Sequence, residues 1–284
     1  MKSIMQNNKE MLKTVELNGA KLHYLEQGKG RPVVLVHGSL GDYRTWKSQI
    51  EVFAQTYRVI SYSRRYHYPN EWREDGKDYS AALHAEDLAS FVKTLKISPV
   101  HLVASSFGAY ASLIMSSRYP DLVGALVLGE PPMLPLLKES PAGNALFESF
   151  LQNAWHPSTQ AFQTGNMALG VKYFIEGVAG KGMFERLPES TRSAMMENAK
   201  ELAAETQSTN YFSLFTREEA QKIKIPVLFL TGQVSPKMFH VITDVLRSWM
   251  PAGHHIEIPA ASHSMHSNNP AFYNDIVLKF LDAH

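Results

Sequence analysis

The chain of 284 residues contains no cysteine, which excludes disulfide bridges, thiolate catalysis and cysteine-ligated zinc. It also lacks an excess of either charge: 28 Lys and Arg face 27 Asp and Glu, leaving a formal net charge of +1. With both signs interspersed, nothing draws it to nucleic acid or to an anionic membrane. No apolar run approaches the roughly 18 residues that a membrane-crossing helix needs. Met1 to Leu12 is polar and charged, without the apolar core of a signal peptide, so the expected setting is the cytoplasm. There is no H-E-x-x-H metal spacing and no glycine-rich phosphate loop, so neither metal nor cofactor is implied. Internal repeats and low-complexity segments are missing as well.

What is present is a full complement of core-forming residues, 44% of the chain, arranged as short apolar runs that alternate with amphipathic stretches. That alternation predicts a mostly parallel sheet covered by helices on both faces. Thr14 to Leu17 and Leu22 to Gln27, joined at Asn18-Gly19, read as an opening hairpin. Pro32 to His37 is apolar throughout, as expected of a strand buried on both faces. Further strands are expected at Arg58–Ser61, Val100–Ala104, Leu122–Leu128, Pro226–Leu230 and His255–Ile258. Helical spacing marks Trp46–Phe53, Ala81–Leu95, Ser106–Arg118, Lys237–Trp249 and Pro270–Leu281.

One region breaks the rhythm. Between Pro131 and Ile223 there is no strand signal, only helical patterns such as Ala145–Gln152, Phe162–Val178 and Glu189–Thr206. The expected organisation is therefore a core of residues 1–130 and 224–284 with a helical cap inserted at 131–223. Met133, Leu134, Leu136, Leu137, Phe147, Phe150, Tyr211, Phe212 and Phe215 give that block its apolar character. Most of them suffice as the block's own core; some can wall a pocket.

Ala104-Ser105-Ser106-Phe107-Gly108 fits a strand-to-helix turn in which an exposed serine is flanked two residues away by small side chains. Such a match arises by chance in roughly one chain in five, and serine is also a common helix N-cap. Its context is more specific, because an apolar strand precedes it directly and a helix follows directly. Ser106 is the candidate nucleophile, since Ser105 would need Val103 and Phe107 at the small positions. Ile258 to His263 places a histidine just past the last strand, where a general base could reach the serine. His266 is the rival three residues on, set closer to the final helix.

Strand–His37-Gly38-Ser39, strand–Ser106 turn–helix, a helical block, and strand–Ala261-Ser262-His263–helix together resemble the α/β-hydrolase superfamily over nearly the whole chain. The resemblance implies an eight-stranded, mostly parallel α/β sheet and an enzyme. It implies a serine–acid–histidine order along the chain, with the backbone N–H groups of Ser39 and Phe107 facing a developing oxyanion.

The acid departs from the commoner pattern. The loop after the next-to-last strand, Thr231 to Lys237, has no Asp or Glu; Ser235 stands where the acid is expected, and Asp244 lies well inside a helix. Certain family members carry the carboxylate after the strand that follows the nucleophile helix, and here that strand ends at Glu130. Glu130 is the candidate acid, against the plainer reading of a solvated loop charge. After the strand near Ser61, only Arg65 matches the family's Asp-x-Arg-Gly-x-Gly turn; the loop from Arg64 to Trp72 is expected to be structural.

A serine nucleophile suits acyl transfer rather than the alkyl-ester chemistry of aspartate relatives. The expected partner is a small-molecule substrate, a small to medium hydrophobic carboxylic ester or lactone. Amides, thioesters and activated carbon–carbon bonds stay open, as do a ligand receptor and a cofactor-free oxygenase on the same scaffold. Composition sets no oligomeric state.

Overall fold

The computed structural model describes residues 12–72, 78–208 and 214–284. Among them are eight strands: β1 (Lys13–Leu17), β2 (Ala20–Gln27), β3 (Pro32–Val36), β4 (Arg58–Tyr62), β5 (Val100–Ser105), β6 (Val123–Gly129), β7 (Val227–Gly232) and β8 (His254–Ile258). They form one sheet in the order β1-β2-β4-β3-β5-β6-β7-β8. The opening hairpin and the β2–β4 pair are antiparallel, and every other pair is parallel.

Alternation along the strands explains why both sheet faces are covered. In β3, Val34 and Val36 join one apolar cluster while Val33 and Leu35 join the other. All four are fully buried, each worth roughly 1.5–3 kcal/mol of transfer free energy. The first face packs against α2 (Ala81–Thr94), α3 (Phe107–Arg118) and α11 (Lys237–Trp249). The second packs against α1 (Lys47–Phe53) and α13 (Pro270–Asp282). Caps fix several starts: Ser80 accepts from Leu83 N, and Asn269, followed by Pro270, accepts from Phe272 N.

Between β6 and β7 every regular element among the described residues is helical. They run through α4 (Pro141–Phe150), a π-helical turn at Leu151–Trp155, α5 (His156–Gln163), α6 (Met167–Ala179), α7 (Met183–Arg186), α8 (Glu189–Glu197), α9 (Ala199–Gln207) and α10 (Arg217–Lys222). Tyr211 and Phe212 lie outside the described residues. The helix expected over Glu189–Thr206 is two helices, which meet at Asn198, where the backbone leaves the helical range at φ −106° and ψ 5°. The side-chain amide of Asn198 donates to Asp42 Oδ2 at 3.0 Å and its carbonyl accepts from Tyr68 N at 2.8 Å.

The topology also decides where a site can form. β4 lies on one side of β3 and β5 on the other, so the connections leaving the carboxyl ends of these parallel strands diverge and open a crevice. Residues 37–41, 63–72, 106, 130 and 263 all follow strand ends on that edge.

Candidate active site

Ser106 sits between β5 and α3 with φ 53° and ψ −127°, a backbone conformation that costs a non-glycine residue about 1–3 kcal/mol. The sequence around it explains how so sharp a turn fits. A Cβ on Gly108 would stand 2.3 Å from the His37 carbonyl oxygen and 2.5 Å from that of Val36. A Cβ on Gly38 would stand 2.8 Å from Ser106 Cβ. The turn after β3 is thus pressed directly against the serine, and only glycine allows it.

His263 Nε2 lies 2.9 Å from Ser106 Oγ, and His263 Nδ1 lies 2.6 Å from Glu130 Oε2. A carboxylate can only accept, so Nδ1 carries the proton and Nε2 is left to accept from the serine hydroxyl. Glu130 is fully buried, and its other oxygen accepts from Gly232 N at 2.8 Å. It too has a left-handed backbone, φ 47°. Phe239 of α11 stacks on the imidazole, with centroids 4.1 Å apart and planes 14° off parallel. Three side chains from distant segments therefore form one line, each fixed by a neighbour.

The chain as a whole is similar to known proteins. A family model described as alpha/beta hydrolase fold matches residues 31–270. The chain belongs to the α/β-hydrolase fold family. It is 26% identical over 283 residues to the (E)-2-((N-methylformamido)methylene)succinate hydrolase of Acinetobacter baylyi, a match covering 95% of this chain and 98% of that protein. It is 30% identical over 124 residues to the uncharacterized hydrolase YraK of Bacillus subtilis, where the match spans 44% of this chain and 46% of that one. The crystal structure of the enol-lactonase from Burkholderia xenovorans LB400 superposes with a TM-score of 0.75 at 19% identity, covering 95% of this chain and all of that one. This α/β-hydrolase is an enzyme of the hydrolase class.

The rival residues fall elsewhere in the hydrolase. His266 lies in the short α12 (Met265–Asn268), just before the final helix, with its ring centroid 4.7 Å from that of Trp46. Burial, reinforced by His263, pushes its pKa down to about 4, as befits a core histidine. Asp244 is on the exposed side of α11, 3.3 Å from Arg247. Ser235 follows β7, and its Oγ has no hydrogen-bond partner among the described residues.

The turn after β3 carries Ser39. His37 is fully buried; its Nδ1–H donates to the Gly38 carbonyl at 2.8 Å, and its Nε2 accepts from Arg64 N at 2.9 Å. Burial holds its pKa well below the usual value, with His67 and Arg64 adding to the effect. Arg65 is a clamp, bonding both oxygens of Asp87 at 2.6 and 2.7 Å.

The sequence reading missed Arg64, Glu201 and Glu205, all fully buried. Arg64 donates to the His37 and Gly38 carbonyls at 3.1 and 3.3 Å, and its guanidinium lies 4.8 Å over the Phe107 ring. Glu205 accepts from Ser39 Oγ at 2.9 Å.

A cleft beside Ser106 is lined by Pro132, Leu134, Phe150, Trp155, Phe174 and Phe239, among others. The π-helical turn sets Trp155 into this wall, a use such turns often serve. Among the described residues, no group of three or more His, Asp or Glu side chains is arranged to hold a metal ion. None of the described helices is long and apolar enough to cross a membrane.

Proposed function

We propose that this α/β-hydrolase cleaves a small to medium hydrophobic carboxylic ester or lactone through an acyl-enzyme on Ser106. The observation that carries the reading is the unbroken Glu130–His263–Ser106 line, at 2.6 and 2.9 Å. His263 Nε2 takes the serine proton as Oγ bonds to the substrate carbonyl carbon. Glu130 holds the imidazole in the required tautomer and balances its charge. The C–O bond of the tetrahedral intermediate then breaks, and the leaving oxygen takes that proton from Nε2. In a lactone that oxygen stays tethered to the acyl group. Water repeats the cycle and frees the acid.

The backbone N–H groups of Ser39 and Phe107 are the oxyanion donors in this reading, and a donor of this kind is worth about 3–4 kcal/mol in the transition state. The close approach of Gly38 to Ser106 supports that role. The apolar wall of the cleft suits a hydrophobic acyl or alcohol group, and the helices of residues 131–223 act as a cap over it. The similarity to an enol-lactonase and to a succinate-derivative hydrolase supports a carbonyl substrate.

A fluorophosphonate probe tests the reading. Labelling at Ser106, lost in Ser106→Ala together with turnover of p-nitrophenyl esters, is expected. An unlabelled wild-type protein, or a Ser106→Ala variant with full turnover, would refute it.

A further inference from the structure

Ser39 does not stand alone in its turn; it is tied from below by side chains that share a buried charge problem. Glu201 and Glu205 are one helical turn apart on α9, both fully buried, and among the described residues Arg64 is the one arginine beside them, at 3.7 and 3.9 Å. Three of their oxygens, Glu201 Oε1 and Oε2 and Glu205 Oε1, have no hydrogen-bond donor among the described residues. Two adjacent carboxylates against one guanidinium would leave an uncompensated buried charge, so the pair keeps one proton.

The neighbours point the same way. His67 Nδ1–H donates to the Gly41 carbonyl at 2.7 Å, so its Nε2, 3.2 Å from Glu201 Oε1, is an acceptor as well and gives Glu201 no compensating proton. His84 Nε2 is 3.6 Å from the same oxygen. Burial, with Arg64 nearby, keeps His67 and His84 neutral. The same burial, with the charge of Glu201, holds the Glu205 carboxyl well above the usual range.

We propose that Glu205 is a positioning residue for the hydrolytic step: through Ser39 Oγ it fixes the 37–41 turn against Ser106, and one proton shared with Glu201 lets it do so beside a single arginine. The inference rests on the serine-hydrolase reading above. It makes the oxyanion turn depend on how α9, part of the helical block, is seated on the core. Arg64 Nη2 on the Gly38 carbonyl, His67 on the Gly41 carbonyl and Asn198 on Asp42 complete the attachment.

The test is a double-mutant cycle with p-nitrophenyl acetate, run beside Ser106→Ala. Glu205→Ala and Ser39→Ala are each expected to lower kcat about 10-fold with KM little changed, a fraction of a full oxyanion donor. The double variant should fall no further than either single one, because both remove the same contact. Glu205→Gln can accept from Ser39 and donate to Glu201, so it should keep kcat within about threefold while losing an alkaline decline that the wild type shows when the shared proton leaves.

Additive losses in the double variant, an unchanged kcat in Glu205→Ala, or a wild-type alkaline decline retained in Glu205→Gln would each overturn the proposal. Should Glu205→Ala not fold, the pH profile of Glu205→Gln decides alone. Full turnover in Ser106→Ala would sink the serine reading and this inference with it; its loss there, with an additive cycle, sinks the positioning role only.

Discussion

Glu130 and Gly232 are 102 residues apart, yet the Gly232 N–H donates to Glu130 Oε1 at 2.8 Å. The loop that carries the acid in the commoner version of the fold thus supplies, in this chain, a backbone donor that holds an acid from the preceding parallel strand. The second oxygen is left free to meet His263 Nδ1 at 2.6 Å.

Glu130→Gln should therefore lower kcat for an aryl ester by up to ~10⁴ with KM little changed. The amide can donate or accept, so it favours the wrong imidazole tautomer while preserving shape. Steady-state kinetics on a variant with unaltered circular dichroism measures this. If Asp244→Asn, altering a residue on an exposed surface, produced the loss instead, the acid would be misassigned.

The strands, the serine and the histidine were legible because each is written locally: a buried strand is a continuous apolar run, and a sharp turn needs small residues on both sides. Glu130 was legible only indirectly, from the missing acid in residues 231–237. Glu201 and Glu205 were not legible. Carboxylates at i and i+4 on a helix normally mark a solvated face, and what buries them is Arg64, more than 130 residues earlier. The break at Asn198 was hidden for the same reason, since its side chain reaches Asp42 and Tyr68, far away in the sequence, as well as the Ala194 carbonyl of its own helix.

The backbone of Ser106, at φ 53°, is strained for the sake of exposure. Glycine tolerates that conformation freely, although it loses more entropy on folding. Ser106→Gly is expected to be inactive and more stable by about 1 kcal/mol. Urea unfolding reads the difference, and a variant less stable than wild type would mean that the turn is not strained.

Acid stability should follow the buried histidines. His266 takes its proton near pH 4 in the folded hydrolase, because burial and then the nearby His263 oppose its charge, whereas an unfolded chain binds it near pH 6.5. Between those values the unfolded state holds more protons, so stability is complete above about pH 6.5 and falls as the pH is lowered toward 4. A shift of this size corresponds to something on the order of 3 kcal/mol. His266→Gln should flatten the decline of Tm over that range, and an unchanged slope would show that His266 is not buried as a neutral ring.

Chain-length preference tests the cleft. Trp155 lines the cleft beside Phe150 and Phe174, with ring centroids 6.3 and 6.5 Å away. On the proposed acyl-enzyme reading, an indole in this wall should limit the length of the acyl chain, so short p-nitrophenyl esters should be the better substrates of the wild type. Trp155→Leu removes part of that wall while keeping it apolar. Each methylene accommodated in such a pocket changes discrimination by roughly 10-fold or more, so kcat/KM should shift at least that much toward longer esters. Denaturant unfolding of the variant separates a reshaped pocket from a loosened helical block. A preference that did not move in a stably folded variant would place the acyl group outside this cleft.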